Sequence, residues 1–314
     1  MGKVFALKEP HPFLTVKVIK HAVKLLVTGS SGPKVASRVA EILALSHCVV
    51  GLDQTPAPTT TIVADITRIG DWRPYLQGVD AVMHFAALHA PHRESHSADE
   101  FRRTNVTATQ SLLDASRDAG VKRFLFASST SVYGKSMRNT RSAVWVTEAL
   151  LPEAEDIYDE TKLSAEQLCR DAFSPTFVTA ALRFSRSFPE PLPLMALYRL
   201  YRGVDARDVA QAFSLALTAH VKQFEAINIS GETPFFETDC AELFTDARQV
   251  LRKRAPEFVQ EFERRQWPLP TSIDRVYVID KAKTVLGYQP QFGFRELLRS
   301  LADSQPIVRT EVER

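Results

Sequence analysis

Between residues 24 and 184 the chain alternates short, continuously apolar runs with stretches of helical spacing, and this alternation narrows the folds open to it. The runs are KLLVTG (24–29), CVVGLD (48–53), TTIVAD (60–65), DAVMHFAA (80–87), RFLFASS (123–129) and FVTAALRF (177–184). Helices are predicted over 33–45, 71–77, 99–119 and 158–173. Strands apolar on both faces need cover on both faces, and helical crossovers impose a parallel order. The prediction is an α/β fold, a doubly wound parallel sheet with ligands outside the carboxyl ends of its strands.

Past residue 185 the pattern loosens. SFPEPLPLM (187–195) reads as a Pro-rich loop, DVAQAFSLAL as a helix, AINISG as a strand and 238–266 as helical, before SIDRVYVID and a final helix. The expected organisation is an extension over 1–23, a dinucleotide-binding Rossmann core over 24–183 rejoined by 204–231, and a small substrate-facing lobe from 184–203 and 232–314.

Composition removes several classes. A net charge of +2 over 314 residues leaves no basic footprint for nucleic acid or a membrane surface. The basic cluster at Arg248, Arg252, Lys253 and Arg254 reads as the solvated face of an amphipathic helix. No run of 18 apolar residues predicts a membrane span, and the first residues lack the apolar block of a signal peptide. Cys48, Cys169 and Cys240 have no metal or redox spacing and are expected as reduced, buried or half-buried thiols, which favours a cytoplasmic location.

TGSSGPKVASRVAEIL (28–43) joins the first strand to a helix. Glycine there lets the backbone approach a diphosphate, whose charge meets free helix N–H groups. Gly29 and Gly32 are in place, with Ser31 between them. Val35 occupies the third glycine position, or Ala36 substitutes if Pro33 is an insertion. A simple strand-to-helix turn is the plain alternative. Asp53 ends the second strand 24 residues after Gly29, where a carboxylate would bond a ribose hydroxyl and repel a 2′-phosphate, indicating NAD rather than NADP.

Two Tyr-x-x-x-Lys pairs compete for the chemistry, Tyr158/Lys162 and Tyr277/Lys281. Four residues of helix return to the same face after about 6 Å, whereas four residues of strand span about 13 Å. DIYDETKLSAEQLCRDAF has helical spacing and DRVYVID is a β-branched run, so the first pair is selected. A lysine ammonium favours the phenolate of a tyrosine whose free pKa is about 10. Ser128, Ser129, Thr130 and Ser131 supply hydroxyls at a strand's carboxyl end.

Taken together, TGSSG (28–32), Asp65-Ile66, HFAA (84–87), Asn105, SSTSVYG (128–134), YDETK (158–162), LRFS (182–185), VDARDVAQA (204–212) and NISG (228–231) carry a resemblance. From about 24 to 300 the chain resembles the extended short-chain dehydrogenase/reductases, the NAD-dependent epimerase/dehydratase family. The resemblance implies Ser129 as substrate-oxygen donor, Tyr158 as acid/base, and Lys162 as pKa modulator and nicotinamide-ribose ligand. It places Asp65 and Ile66 at the adenine, Ala86 and Ala87 beside the nicotinamide, and Asn105 among the cofactor-site residues. It also implies a homodimer through the helices near 99–119 and 158–173.

The short 184–203 segment resembles that of the uronate dehydrogenases. Met195, however, stands at their carboxylate-binding arginine, and Thr130-Ser131 replaces their Asn-His. The expected substrate is therefore a small sugar, sugar acid or polyol-like secondary alcohol, with Thr130, His89 and Arg186 as candidate contacts. The alternatives are a sugar-nucleotide epimerase or dehydratase that retains NAD, and a non-catalytic dinucleotide-sensing regulator. His84, His89, His92 and His96 cluster without a completing carboxylate or thiolate, so no metal site is expected.

Overall fold

A computed structural model describes residues 22–303. Apart from its last two residues, the extension expected over 1–23 lies outside the described residues, as does 304–314. The elements in chain order are β1 Lys24–Thr28, α1 Ala36–Leu43, β2 Cys48–Asp53, β3 Ile62–Val63, α2 Ile69–Trp72, β4 Ala81–His84, α3 Ala98–Arg102, α4 Ala108–Asp118, β5 Arg123–Ser129, β6 Val144–Val146, α5 Ile157–Ala172, β7 Val178–Phe184, α6 Leu192–Tyr198, α7 Ala206–Ala216, β8 Glu225–Ile229, α8 Cys240–Arg254, α9 Pro256–Arg264, β9 Arg275–Tyr277, α10 Asp280–Leu286 and α11 Phe294–Asp303.

Seven strands form one sheet in the order β3-β2-β1-β4-β5-β7-β8, every neighbouring pair parallel. Alternation along each strand divides the core in two. Leu25, Val27, Met83, Leu125, Leu182 and Ile227 face α1, α7 and α10. Leu26, Val82, Phe124, Phe126 and Ala181 face α4 and α5 through Leu112, Leu113, Ala165 and Cys169. The doubly wound arrangement is the one the apolar runs demand, because neither face is left to water. The strand order reverses between β1 and β4, whose carboxyl ends Thr28 and His84 are in register; such a switch point is where an open α/β sheet forms its ligand crevice.

A separate apolar cluster forms around Leu197, Leu200, Leu243, Leu251, Phe258, Phe262 and Val276. The two-stranded parallel sheet β6–β9 joins it, bringing Trp145 to Val276. Ile279, Ala282, Leu286 and Tyr288, although late in the chain, pack back against the main sheet.

Several expected elements differ. The Pro-rich loop at 187–195 holds the start of α6, since Pro191 and Pro193 occupy its cap and first turn, where a missing N–H costs nothing. The helical stretch 238–266 is broken at Ala255 ahead of Pro256, which cannot donate to a preceding turn. The strand over DRVYVID stops at Tyr277 and Lys281 lies on α10, whose first residue Asp280 carries the negative charge favoured at a helix start. Cys48, at the outset of β2, is exposed rather than half-buried.

Candidate active site

The first βα loop turns at Gly29, which has φ +71°. A β-carbon there would stand 2.6 Å from the backbone nitrogen of Ala86, so only glycine lets the β1 and β4 ends approach this closely. The approach is fastened by Thr28, whose Oγ1 accepts from the Ala86 N–H at 3.2 Å and pairs with His84 Nδ1 at 2.7 Å. His84 Nε2 meets Thr109 Oγ1 at 2.8 Å, and burial, aided by the Lys162 charge, lowers its pKa to about 3. It is a neutral structural imidazole. Val35 needs no glycine, because its φ of −135° is open to any residue and the helix begins one position later at Ala36.

Asp53 reaches back to the loop. Its Oδ2 accepts the Ser31 N–H at 3.1 Å and its Oδ1 accepts the Thr55 N–H at 2.9 Å. Asp65 holds Thr67 through N–H and hydroxyl contacts of 2.9 and 2.8 Å, and Ile66 is buried beside it. Ala86 and Ala87 are half-buried along the crevice. The glycine cradle and the β2 carboxylate fit a dinucleotide: Gly29, Ser31 and Gly32 could receive a diphosphate, and Asp53 could accept from ribose hydroxyls.

Asn105 sits in a π-helical turn, Arg103–Thr107, between α3 and α4. Its side chain is buried and fully engaged: Nδ2 donates to Leu88 O at 2.9 Å and to Thr161 Oγ1 at 3.0 Å, while Oδ1 accepts from Leu88 N–H at 2.8 Å. It ties the loop after β4 to the helix of Tyr158, which makes it a positioning residue for both walls.

α5 begins at an Asp156 cap whose carboxylate accepts the Asp159 N–H at 3.0 Å. Tyr158 therefore enters in the first turn and Lys162 one turn later on the same face. Tyr158 is 9% exposed and Lys162 2%. Burial raises the Tyr158 pKa far above the ordinary phenol value, the adjacent Ser129 hydroxyl opposes this, and Asp159 and Asp156 add to it. The expected lowering by Lys162 is not found. Its Nζ donates to Ala127 O at 2.9 Å and lies 5.9 Å from the Tyr158 ring centroid, so its charge is held beneath the ring. Burial lowers the Lys162 pKa to about 8, with Glu166 pulling the other way. Ser129 ends β5 half-buried, its Oγ accepting the Ser131 N–H at 3.1 Å, and Thr130 is buried behind it. The structure thus brings Ser129, Tyr158 and Lys162 together at the carboxyl ends of the central strands.

The other Tyr-Lys pair is apart: Tyr277 donates to Met137 Sδ at 3.4 Å, while Lys281 binds Ala226 O and Glu225. His89 lines the mouth with its side chain exposed, its ring centroid 5.9 Å from that of Tyr158, and the crowding of protein around it, followed by the Lys162 charge, pushes its pKa below the usual range. The rings of His89, His92 and His96 follow one another along a short 3-10 turn, and among the described residues no group of three His, Cys, Asp or Glu side chains could hold a metal. Arg186 is paired with Glu190 through Nε at 2.6 Å.

The sequence reading missed a buried network behind Lys162. Glu166 accepts from Ser128 Oγ at 2.5 Å and, in bidentate fashion, from Arg183 at 2.9 and 2.6 Å. Arg183 continues to Tyr133, which donates to Asn228, whose own N–H is taken by Glu148 at 2.7 Å. The signal was the four-residue step from Lys162 to Glu166 on one helix face. A polar cavity of about 250 Å³ lies beyond this network at the β8 edge, away from the crevice, lined by Glu148, Arg183, Glu225 and Lys281 among others.

Comparisons with known proteins agree with this architecture. The family model of the NAD dependent epimerase/dehydratase family matches residues 25–187. A 3-beta-hydroxysteroid dehydrogenase of Mycolicibacterium neoaurum is 33% identical over 156 residues, covering 46% of this chain and 42% of that protein. An uncharacterized UDP-glucose epimerase of Bacillus subtilis is 31% identical over 205 residues, covering 57% and 61%. The chain thus spans about half the length of these curated relatives. The structure of MoeE5 in complex with UDP-glucose and NAD superposes with a TM-score of 0.64 at 23% identity, over 89% of this chain and 97% of that one. A mutated uronate dehydrogenase gives 0.63 at 18% identity, over 90% and 87%. At these identities the likeness is one of fold.

Proposed function

The chain belongs to the NAD dependent epimerase/dehydratase family, and from that premise we propose that it is an NAD-dependent oxidoreductase acting on a secondary alcohol of a small sugar, sugar acid or polyol-like substrate. The observation that carries this is the convergence of Ser129, Tyr158 and Lys162 beside the β1–β4 crevice. NAD, when bound, supplies the hydride acceptor. Gly29, Ser31, Gly32 and Asp53 would hold its diphosphate and ribose, with Asp65, Ile66, Ala86 and Ala87 along its flanks. Ser129 Oγ orients the substrate oxygen, and Tyr158 Oη exchanges the proton with it. Lys162, anchored on Ala127 O, holds a positive charge 5.9 Å from the centre of the Tyr158 ring, from where it would stabilise the phenolate that forms as the proton moves.

Removing the phenol hydroxyl tests this. Tyr158→Phe is expected to lower kcat by about 10²-fold or more with NAD affinity kept, since general acid–base catalysis contributes about that much. Full turnover in the variant would refute the assignment.

Internal redox with retained NAD is the second reading, supported by the likeness to UDP-glucose epimerases. The short 184–203 segment favours net oxidation. NADH accumulating with substrate distinguishes the two, and NAD binding without turnover of any alcohol points to a regulator. Pairing through the faces of α4 and α5 into a homodimer is part of the proposal, to be read from the solution mass. So is a cytoplasmic location, in keeping with the finding that no described helix is long and apolar enough to cross a membrane.

A further inference from the structure

The loop that starts α1 carries a lysine whose side chain leaves the diphosphate cradle. Among the described residues Lys34 enters no ion pair, and its ammonium lies 4.1 Å from the centroid of Phe188, in the segment after β7. That contact bridges the first βα loop to the opposite wall of the crevice mouth. Phe188 is 39% exposed and is shared with a second cation, since Arg186 lies 5.0 Å from the same centroid. The two cations differ in one respect. Arg186 is neutralised by Glu190, whereas Lys34 is not.

Among the described residues Lys34 therefore brings to the mouth a positive charge with no ion-pair partner, and its position points to the substrate side. Lys34 lies close enough to His89 and His92 for its charge to oppose their protonation, and the His89 ring is 5.9 Å from Tyr158. An exposed aromatic face is a weaker partner for an ammonium than an oxyanion, which forms a charge-assisted hydrogen bond. An incoming carboxylate or phosphate would displace the ring and gain the bond.

Building on the proposed oxidoreductase site, we propose that Lys34 is a specificity-determining residue that makes the site prefer a secondary alcohol carrying an anionic group, carboxylate or phosphate, over its neutral counterpart. The neighbouring Gly29–Gly32 backbone serves the dinucleotide diphosphate, so the Lys34 side chain acts on the other ligand.

The test is calorimetric titration of the full chain, saturated with NADH, with glucose, glucuronate and glucose 6-phosphate. The charged sugars are expected to bind about tenfold tighter than glucose, the difference a single charge-assisted contact can make. Lys34→Met is expected to remove that advantage and Lys34→Arg to keep it, with NADH affinity within about twofold in both. Equal binding of the three sugars, no binding of either charged sugar up to about 10 mM, or an advantage retained in Lys34→Met would overturn the proposal. So would an NADH affinity that falls about tenfold in Lys34→Met, which would assign the lysine to the dinucleotide. These readouts need no turnover, so the oxidoreductase reading stands or falls separately on NADH production and Tyr158→Phe.

Discussion

Lys162 donates its ammonium proton to the carbonyl of Ala127 at 2.9 Å rather than toward the hydroxyl of Tyr158. One strand carbonyl thus fixes where the positive charge sits relative to the phenol. Tyr158 is held above its usual pKa by burial, so the protonated form dominates at neutral pH. Oxidation needs the proton acceptor and reduction the donor. Alcohol oxidation by the wild type is therefore expected to climb with pH while carbonyl reduction does not. Lys162→Met should move the rising limb of oxidation to higher pH and lower kcat/KM by about 10²-fold. A pH–rate profile with an unmoved limb would show that the ammonium does not act on Tyr158.

The Glu166–Arg183 pair is buried, bidentate and joined by Ser128. Removing one partner strands the other charge out of water. Glu166→Ala or Arg183→Met is expected to cost about 3–5 kcal/mol in urea unfolding, and the double variant less than the sum of the two. Strict additivity would mean the pair is not coupled.

Asp208 accepts the N–H groups of Gln291 and Phe292 at 2.8 and 3.0 Å, yet its burial outweighs them and raises its pKa to about 6. A folded pKa above the unfolded one contributes stability that is present below the unfolded pKa and lost as pH rises through about 6. His84, with its lowered pKa, acts in the opposite sense by losing stability as pH falls below its unfolded value, so the Asp208 effect is isolated by comparison with a variant. The stability difference between wild type and Asp208→Asn should shift by about 1 kcal/mol toward the wild type between about pH 7 and about pH 5. A pH-independent difference would show that Asp208 does not titrate there.

Gly29→Ala places a methyl group against the Ala86 backbone in a left-handed conformation. Neither side can yield cheaply, and a loss of about 1–3 kcal/mol in stability is expected, together with weaker NADH binding read by fluorescence. Gly32→Ala, whose β-carbon would meet Gly29 O at 3.2 Å with no positive φ, should cost less. Equal effects would refute the close-approach argument.

The sheet was legible because period and burial speak together: Leu25 to Val27 and Phe124 to Phe126 read as strands closed on both faces, and they are. Selecting Tyr158 over Tyr277 needed only the reach of a helix, although the second pair proved to straddle a strand and a helix. What stayed hidden depends on distant partners. That Lys162 would find Ala127, that Asn105 would spend its amide on Leu88 and Thr161, and that Lys34 would lie over Phe188 are results of tertiary packing that no local spacing encodes. The α6 helix was hidden for another reason, because proline marks loops and helix starts alike.

The small parallel ribbon that pairs Trp145 with Val276 imposes an order on synthesis. During translation the strands up to β5 can emerge and associate first, while Trp145 waits for a partner, Val276, encoded much later in the chain. Until Val276 leaves the ribosome, the edge presented by β6 is unpaired. In that interval the nascent chain is most exposed to misassembly or to capture by a chaperone.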